Sequence, residues 1–498
     1  MWKNNFFKVG LVACVYFLLS FGNNSSSQTK KVIEFNVDTL TMYRNPAMGW
    51  VMYAEMGMEF SPITKDYYNT TTYWNDMESI QAAKYCNILY IRLPWSVLEP
   101  EEGKFAWIYN EDYKRFIQKA LDHGLKLAFR VFVCSKDAGM QATPQFVFNS
   151  GADSIKSNYA FKKGLVFNEP YYDDPVFQEK FGNFIKSFAK EYDNPDKIDF
   201  VDGYGLGWWG EGNSITLKGI QSTKQVIEFI TGTYAKYFKN ILTVYNLNKN
   251  DFEFAKPTVY EKYGFLPRRD GLGSFWFGDE ERKMVTDYFW PSKPLIGEGC
   301  YWIWFDTIGT GYKKDTRFKM NNWSEAMTTA MNDALNYHSN TFDLRVPLMC
   351  KYWIENLPDQ VQRFITNGGY RLCPKSLEYK IKDRTLDITH CWRNYGVGLL
   401  PNSHPNWGHK YKVAFALYDK QKGQIVDMLI DEPADPGNWV KGNDYTYQTK
   451  WNSKFLAKNL NLALLFSIID TKQNKPGISL AIDNAVKIQN WYLAGGLK

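Results

Sequence analysis

Two glutamates lie in similar surroundings, each flanked by glycine and close to aromatic residues. Glu211 lies in G-L-G-W-W-G-E-G-N, and Glu298 lies in P-L-I-G-E-G-C-Y-W. Glycine lets the backbone bend sharply beside each acid, and the tryptophans offer flat faces on which a ring can stack. Two carboxyl groups can divide a reaction, one donating a proton while the other attacks or supports a positive centre. We therefore hypothesise a two-carboxylate site, provided that the fold brings the two acids together.

Hydrophobic periodicity predicts the elements that would position these acids. Between residues 49 and 366, short apolar runs alternate with helical patterns, which is typical of a parallel sheet with crossover helices. The predicted strands are Gly49–Glu55, Cys86–Leu93, Gly124–Cys134, Ile198–Leu206, Ile241–Tyr245, one starting at Tyr263–Leu266, Pro294–Gly297 and Thr341–Val346. The predicted helices are Asp112–His123, Pro175–Tyr192, Lys224–Phe238, Ser324–Tyr337 and Pro358–Thr366. Eight such units predict an α/β fold, a (β/α)8 TIM barrel with loop insertions.

The barrel places the two acids at one end. Active sites of such barrels are built by the loops at the carboxyl ends of the strands. Glu211 follows the fourth predicted strand and Glu298 ends the seventh, so both are expected to face the same mouth. Hydrolysis of a glycosidic bond needs this kind of pair, in which one carboxylic acid protonates the leaving oxygen and the other group acts at the anomeric carbon.

From about residue 370 the pattern changes to short strands separated by Asn, Gly, Pro and Asp, with no long helical pattern between them. This regular spacing predicts a C-terminal all-β sandwich. The predicted strands lie within Leu377–Thr389, Trp392–Gly398, Lys412–Tyr418, Ile425–Ile430, Phe455–Ile469 and Ile478–Ile488. We predict a signal peptide and linker at 1–27, the barrel with the active site at 28–368, and the sandwich as an accessory domain at 369–498.

The N-terminus has the pattern of an export signal. Lys3 and Lys8 precede the apolar run Val9–Phe21, and small residues follow at the expected cleavage region. We therefore expect a periplasmic or extracellular protein. Leu11–Cys14 resembles a lipoprotein cleavage box, but the apolar run continues past Cys14, so lipid anchoring is the less favoured alternative.

Composition excludes several other partners. The 59 basic and 53 acidic residues give a net charge of +6 without a run of Lys and Arg, so we expect no nucleic-acid partner. No apolar run after the signal is long enough to span a bilayer. The remaining cysteines and the five histidines are scattered without metal-ligand spacing, so neither a metal nor another cofactor is expected. The sequence leaves open whether Cys373 and Cys391 pair.

Several motifs resemble the retaining (β/α)8-barrel glycoside hydrolases of clan A. A Glu at the end of strand four and another at the end of strand seven is their pattern. The run I-R-L-P-W-S-V-L-E-P-E-E-G-K-F-A-W (Ile91–Trp107) is similar to the second unit of their β-galactosidase- and endoglycanase-like members, and T-P-Q-F-V (Thr143–Val147) to the T-P-x-W segment after strand three. With N-P-x-x-G-W in front and a sandwich behind, the chain also looks like a poorly characterised bacterial family of hydrolase-like proteins.

The resemblance implies a carbohydrate substrate and a retaining cleavage of O-glycosidic bonds, with Glu211 as acid/base and Glu298 as nucleophile. The family usually has Asn immediately before the acid/base, where it holds the sugar 2-hydroxyl. Gly210 occupies that position here, and the nearest amide is that of Asn213. A non-catalytic carbohydrate-binding barrel, which kept the cleft but lost the chemistry, is therefore the alternative function. A metal-dependent hydrolase is a distant third.

Further candidates would contact the substrate from strand ends and loops. Arginines in a barrel mouth fix carboxylates or bind sugar hydroxyls, and tryptophans stack on sugar rings. The candidate substrate-binding residues are Arg92, Trp95, Arg130, Tyr204, Trp208, Asn213, Asp270, Trp276 and Trp302. Trp209 is a further candidate stacking surface, Arg268 and Arg269 are loop residues that could reach substrate, and Glu55 and Asp343 are weaker candidates. For each one, a structural ion pair, core packing or ordinary loop solvation is the alternative. The sequence does not specify the sugar, the linkage, exo or endo action, or the oligomeric state.

Overall fold

The structure is a computed structural model that describes residues 30–55, 70–134, 140–158, 164, 166–300, 322–456 and 461–497. Its centre is a closed barrel of eight parallel strands, which confirms the predicted barrel. In chain order these strands are β2 (Gly49–Glu55), β3 (Cys86–Pro94), β4 (Lys126–Phe132), β7 (Ile198–Asp202), β8 (Leu242–Asn246), β9 (Leu266–Leu272), β10 (Leu295–Gly299) and β11 (Ser339–Leu344). The barrel closes where β11 pairs in parallel with β2.

Helices surround the barrel. The helices of the described segments are α1 (Thr70–Ser79), α2 (Trp95–Leu98), α3 (Ala106–Tyr109), α4 (Glu111–Asp122), α5 (Gln145–Asn149), α6 (Pro175–Tyr192), α7 (Thr223–Tyr237), α8 (Phe252–Ala255), α9 (Asp279–Met284), α10 (Trp323–Asn336), α11 (Pro347–Asn356) and α12 (Pro358–Asn367). Wider π-helical turns extend α8 over Lys256–Lys262 and α9 over Val285–Phe289. The five predicted helices are α4, α6, α7, α10 and α12, each within one residue of its predicted bounds.

Side chains of each barrel strand alternate between two environments. On β4, Leu127, Phe129 and Val131 pack outward against the helices, whereas Ala128 packs inside the barrel. Arg130 shares the inward face of Ala128 because successive side chains of a strand point to opposite sides. Because of the same alternation, the side chain of the last inward-facing residue of several strands points into the barrel mouth.

The second domain consists of two antiparallel sheets, as predicted. One sheet contains β1 (Lys31–Glu34), β12 (Leu372–Lys382), β13 (Thr385–Asn394) and β16 (Asp444–Asn452). The other contains β14 (Tyr411–Asp419), β15 (Gln424–Asp431), β17 (Leu462–Asp470), β18 (Lys475–Ile478), β19 (Lys487–Ile488) and β20 (Trp491–Leu497). Strand β1 precedes the barrel in the chain but pairs with β12, so this N-terminal segment contributes to the sandwich although the sequence assigned it to the barrel.

The sandwich closes the end of the barrel opposite the mouth. Asn340, at the start of β11, donates its amide to the carbonyls of Ala47 and Leu399 at 2.8 Å each and accepts from the Leu399 N–H at 3.0 Å. Apolar residues of the barrel interior and of both sheets form one continuous buried cluster. The sandwich therefore covers the strand starts, whereas Glu211 and Glu298 lie at the carboxyl ends.

Two further features were not predicted. The strands β5 (Ser154–Asn158) and β6 (Val166–Pro170) form a hairpin inserted after β4, on the side of the barrel mouth. Cys373 and Cys391 are both free thiols, which answers the question that the sequence left open. Among the described segments, no helix combines the length and the apolar character needed to cross a membrane.

Candidate active site

One arginine connects the two glutamates singled out by the sequence. Nη1 of Arg130 lies 2.5 Å from Oε1 of Glu211, and its Nη2 lies 3.4 Å from Oε2 of Glu298. The guanidinium is fully buried, and the two carboxylates are 9% and 3% exposed. Because both acids bind terminal nitrogens of one planar group, Oε1 of Glu211 and Oε2 of Glu298 can be no more than roughly 8 Å apart. The fold therefore brings the two acids together.

Glu298 lies among three arginines. Besides Arg130, it forms ion pairs with Arg268 of β9 through Oε2 and with Arg345, just beyond β11, through Oε1. Arg345 also contacts Asp343, with 3.0 Å between Nε and Oδ2. These contacts favour the ionised form of Glu298.

A third buried acid lies beneath this cluster. Asp202, the last residue of β7, accepts a hydrogen bond from Nε of Arg130 at 2.6 Å and from the Tyr90 hydroxyl at 2.5 Å. Its Oδ1 lies 3.5 Å from Nε of Arg268. Neither Asp202 nor Arg345 was predicted from the sequence. The signal for Asp202 was its place at a strand end, two residues after the inward-facing Phe200.

An aromatic layer supports the arginines from inside the barrel. The guanidinium of Arg345 lies 4.5 Å from the ring centroid of Tyr53, and that of Arg268 lies 4.8 Å from the ring of Tyr90. The two tyrosine rings are 4.9 Å apart. Cation–π contacts of desolvated arginines are worth about 2 kcal/mol or more, so these rings help to keep the guanidiniums in place.

The loop of residues 203–213 carries Glu211 back over the end of β4. The N–H of Trp209 donates to the Cys134 carbonyl at 3.2 Å, and the amide of Asn246 donates to the Glu211 carbonyl at 3.1 Å. Gly210 has φ +72°, and a Cβ there would lie 3.1 Å from Cβ of Phe132 and 3.2 Å from Gly205. The position that is Asn in the family of resemblance is therefore one that the local backbone suits to glycine.

The carboxyl group of Glu211 is poised to exchange a proton near neutral pH. Burial, followed by the negative charge of Asp270, raises its pKa to about 7, although Arg130 and Arg92 oppose the shift. Asp270 is 24% exposed and lies on β9 beside Arg269, with which it forms an ion pair. A carboxylic acid with such a pKa can act as a general acid and later as a general base.

We expect Asp270→Asn to lower the pKa of Glu211, because removal of the neighbouring negative charge makes the ionised form less costly. The measurement is a pH titration of the glutamate carboxyl signals by carbon-13 NMR, assigned with Glu211→Gln. Glu281→Gln is the matched control, because Glu281 also pairs with Arg269, at 2.8 Å, but is not among the main groups that shift the pKa of Glu211. Equal titration of Glu211 in wild type and Asp270→Asn would contradict the assignment.

The structure brings Arg92 to the same cluster, since it is 3% exposed and its charge acts on Glu211 and Asp202. Trp95, in contrast, is fully buried and donates its indole N–H to Glu99 at 2.9 Å. Glu99 also accepts the Gly103 N–H at 2.9 Å. The W-x-x-x-E-P-x-x-G motif therefore stabilises its own loop through these hydrogen bonds. Trp95 packs in the core, although the sequence suggested that it contacts the substrate.

Tyr204 is also part of the core. It is 2% exposed, its ring lies 4.9 Å from that of Tyr245, and a Cβ at Gly212 would lie 3.0 Å from it. It supports the Glu211 loop from below instead of offering a surface to a substrate. The physical reason is that the glycines of the loop leave space beneath it, and the large aromatic side chain fills that space.

The remaining candidates line the edge of the mouth. Trp208 and Trp209 are half-buried and meet edge to face at 5.9 Å, and the Asn213 carbonyl accepts the Trp208 N–H at 2.8 Å. Trp276 is 44% exposed and, with Phe275 at 41%, forms an aromatic pair just after β9. Trp302 and the side chain of Glu55 lie outside the described residues.

Solved structures with a related arrangement of the chain include three enzymes. Endo-glycoceramidase II from Rhodococcus sp., in a lactosyl-enzyme intermediate, is 11% identical, with a TM-score of 0.40 over 83% of this chain and 99% of that chain. An exo-β-1,4-mannosidase from Opitutaceae bacterium strain TAV5 is 13% identical, with a TM-score of 0.37 over 67% and 58%. A β-glucosidase from Exiguobacterium marinum is 11% identical, with a TM-score of 0.36 over 60% and 88%. No protein-family model matches the chain, and no curated protein matches it.

Proposed function

We propose that the protein is a glycoside hydrolase that cleaves O-glycosidic bonds of an oligo- or polysaccharide with Glu211 and Glu298. The observation that carries the proposal is the contact of both carboxylates with one guanidinium, that of Arg130, at the open end of the barrel. Carboxyl pairs of glycosidases are about 5–5.5 Å apart in retaining enzymes and about 6.5–9.5 Å apart in inverting ones. The limit set by Arg130 is compatible with both ranges.

The two environments suit two different roles. Glu211, with a pKa of about 7, would protonate the leaving oxygen and then activate water. Glu298, surrounded by arginines, would stay ionised and attack the anomeric carbon, as the resemblance to clan A implies. Trp276 and Phe275 would offer an exposed stacking surface for a sugar ring at the rim.

The test is turnover by the purified protein on a panel of aryl glycosides and oligosaccharides, with the first anomer formed identified by proton NMR. Release of the retained anomer supports the proposal in full, and release of the inverted anomer removes the nucleophile role from Glu298. Absence of turnover on every member of a broad panel, together with sugar binding measured by calorimetry, would contradict hydrolysis.

Such an outcome would favour the second candidate, a carbohydrate-binding barrel without catalysis. Its specific support is the state of Glu298, since both of its oxygens form ion pairs and only 3% of its side chain is exposed. A nucleophile must leave part of this network to reach a sugar. Gly210, in the place of the usual Asn, agrees with this candidate as well.

We also propose that the protein is exported, on the basis of the charged start and the apolar run Val9–Phe21. N-terminal sequencing of the protein recovered from its native compartment tests this. Cleavage near residue 22 is expected for a soluble exported form, and a lipid-modified Cys14 would instead show membrane anchoring.

A further inference from the structure

Asp202 occupies a special place in the cluster, because it binds the inner ends of two arginines whose outer ends reach the glutamates. Its Oδ2 accepts from Nε of Arg130 at 2.6 Å, and its Oδ1 lies 3.5 Å from Nε of Arg268. The outer nitrogens of Arg130 contact Glu211 and Glu298, and an outer nitrogen of Arg268 contacts Glu298.

A guanidinium is planar, so fixing its Nε fixes the direction of both terminal nitrogens. The two glutamates and the Trp209 carbonyl all contact the outer nitrogens of Arg130. Asp202 supplies the opposing contact from below, and the Tyr90 hydroxyl orients Asp202 in turn at 2.5 Å. Asp202 is 4% exposed and lies under the arginines, so it does not itself meet a substrate.

We propose that Asp202 is a positioning residue that holds Arg130 and Arg268 in the one orientation in which they align Glu211 and Glu298. The role rests on the proposed hydrolase activity, but its structural part concerns the arginines and can be tested without turnover. The fourth strand of the barrel ends with this acid.

The charges around these groups come from several elements. Asp202 faces Tyr90 and Arg92 of β3, Arg130 of β4, Arg268 of β9 and Tyr234 of α7. Glu211 faces Arg92, Arg130, and Arg269 and Asp270 of β9. Removing the charge of Asp202 leaves Arg130 less compensated, so its positive charge acts more strongly on Glu211.

The experiment compares Asp202→Asn with Asp199→Asn. Asp199 is a similarly buried acid on the same strand, but it accepts the Ala47 N–H at 2.7 Å at the end of the barrel that the sandwich covers. We expect Asp202→Asn to lower kcat about 10- to 100-fold, the effect of a small misplacement of catalytic groups, with KM nearly unchanged. The high-pH side of its activity profile should move to lower pH, and the pKa of Glu211 measured by NMR should fall.

Asp199→Asn should lower the melting temperature without changing kcat, the pH profile or the Glu211 titration. If Asp202→Asn behaves like this control, Asp202 is a purely structural acid and the proposal is overturned. If wild type shows no turnover, the proposed function fails, and the positioning role is then decided by two NMR measurements. These are the titration of Glu211 and the protection of the Arg130 Nε–H from hydrogen exchange, which Asp202→Asn should reduce and Asp199→Asn should leave unchanged.

Discussion

Glu298→Gln is expected to reduce kcat by roughly a thousandfold or more while sugar binding persists, because the amide cannot attack the anomeric carbon. The amide keeps the size of the carboxylate and one acceptor oxygen for the three arginines that surround it. Calorimetric titration with the sugar product measures binding, and turnover of an aryl glycoside measures catalysis. The combination separates an enzyme from a binding protein, which has no turnover to lose.

Glu169→Gln provides the matched control for Glu298→Gln. Glu169 is also buried, at 3% exposure, but it accepts hydrogen bonds from Ser157 and Thr216 in the inserted hairpin region and does not touch the arginine cluster. Its activity should remain near that of wild type. Rescue of a smaller variant, Glu298→Ala, by azide should yield a glycosyl azide of inverted configuration, and a product of retained configuration would contradict the nucleophile role.

Glu211→Gln is expected to lower kcat/KM about 10²- to 10⁴-fold on substrates with a basic leaving group, the usual contribution of a general acid. The rate of the first step, cleavage of the glycosidic bond, should fall much less for an aryl glycoside whose phenol leaves without protonation. Wild-type activity should decline as the pH rises through about 7, because Glu211 then loses the proton that it must donate. In Glu211→Gln this decline should vanish.

Two results would contradict this assignment. One is a rate loss that does not depend on the basicity of the leaving group, and the other is a decline above neutral pH that persists in Glu211→Gln. Asp270 would then be the next carboxylate to examine, since it is the most exposed acid of the cluster and adjoins Glu211 electrostatically.

Strand position was the most predictable feature of the chain. Runs such as Gly49–Glu55 and Cys86–Leu93 are apolar enough to be recognised as strands, because every barrel strand is covered by helices outside and packed inside. The inserted hairpin β5–β6 was missed because β5 alternates between exposed and half-buried residues, and β6, although it buries Phe167, Glu169 and Pro170, carries no apolar run. Strand β1 could not be assigned to the sandwich because its partner β12 lies more than 300 residues later in the chain.

The two acids of the candidate site could be predicted from the sequence, but the side-chain contacts that join them could not. The position of Glu211 and Glu298 after the fourth and seventh strands was enough to place both at one mouth. Trp95 and Tyr204 were predicted to contact the substrate but pack in the core, because a local pattern does not show whether an aromatic ring faces the mouth or the core.

The sequence by itself determined the barrel, the sandwich and the end of the barrel at which the two glutamates lie. These follow from local periodicity and from the fixed geometry of parallel strands. Only the tertiary structure decided that Arg130 joins the two acids, that Arg345 and Arg268 enclose Glu298, and that Asp202 lies beneath them. Such contacts join strands far apart in the chain, and the charge states that they produce depend on burial and on distances of a few ångströms. Neither the burial of these groups nor the distances between them can be read from the order of the residues.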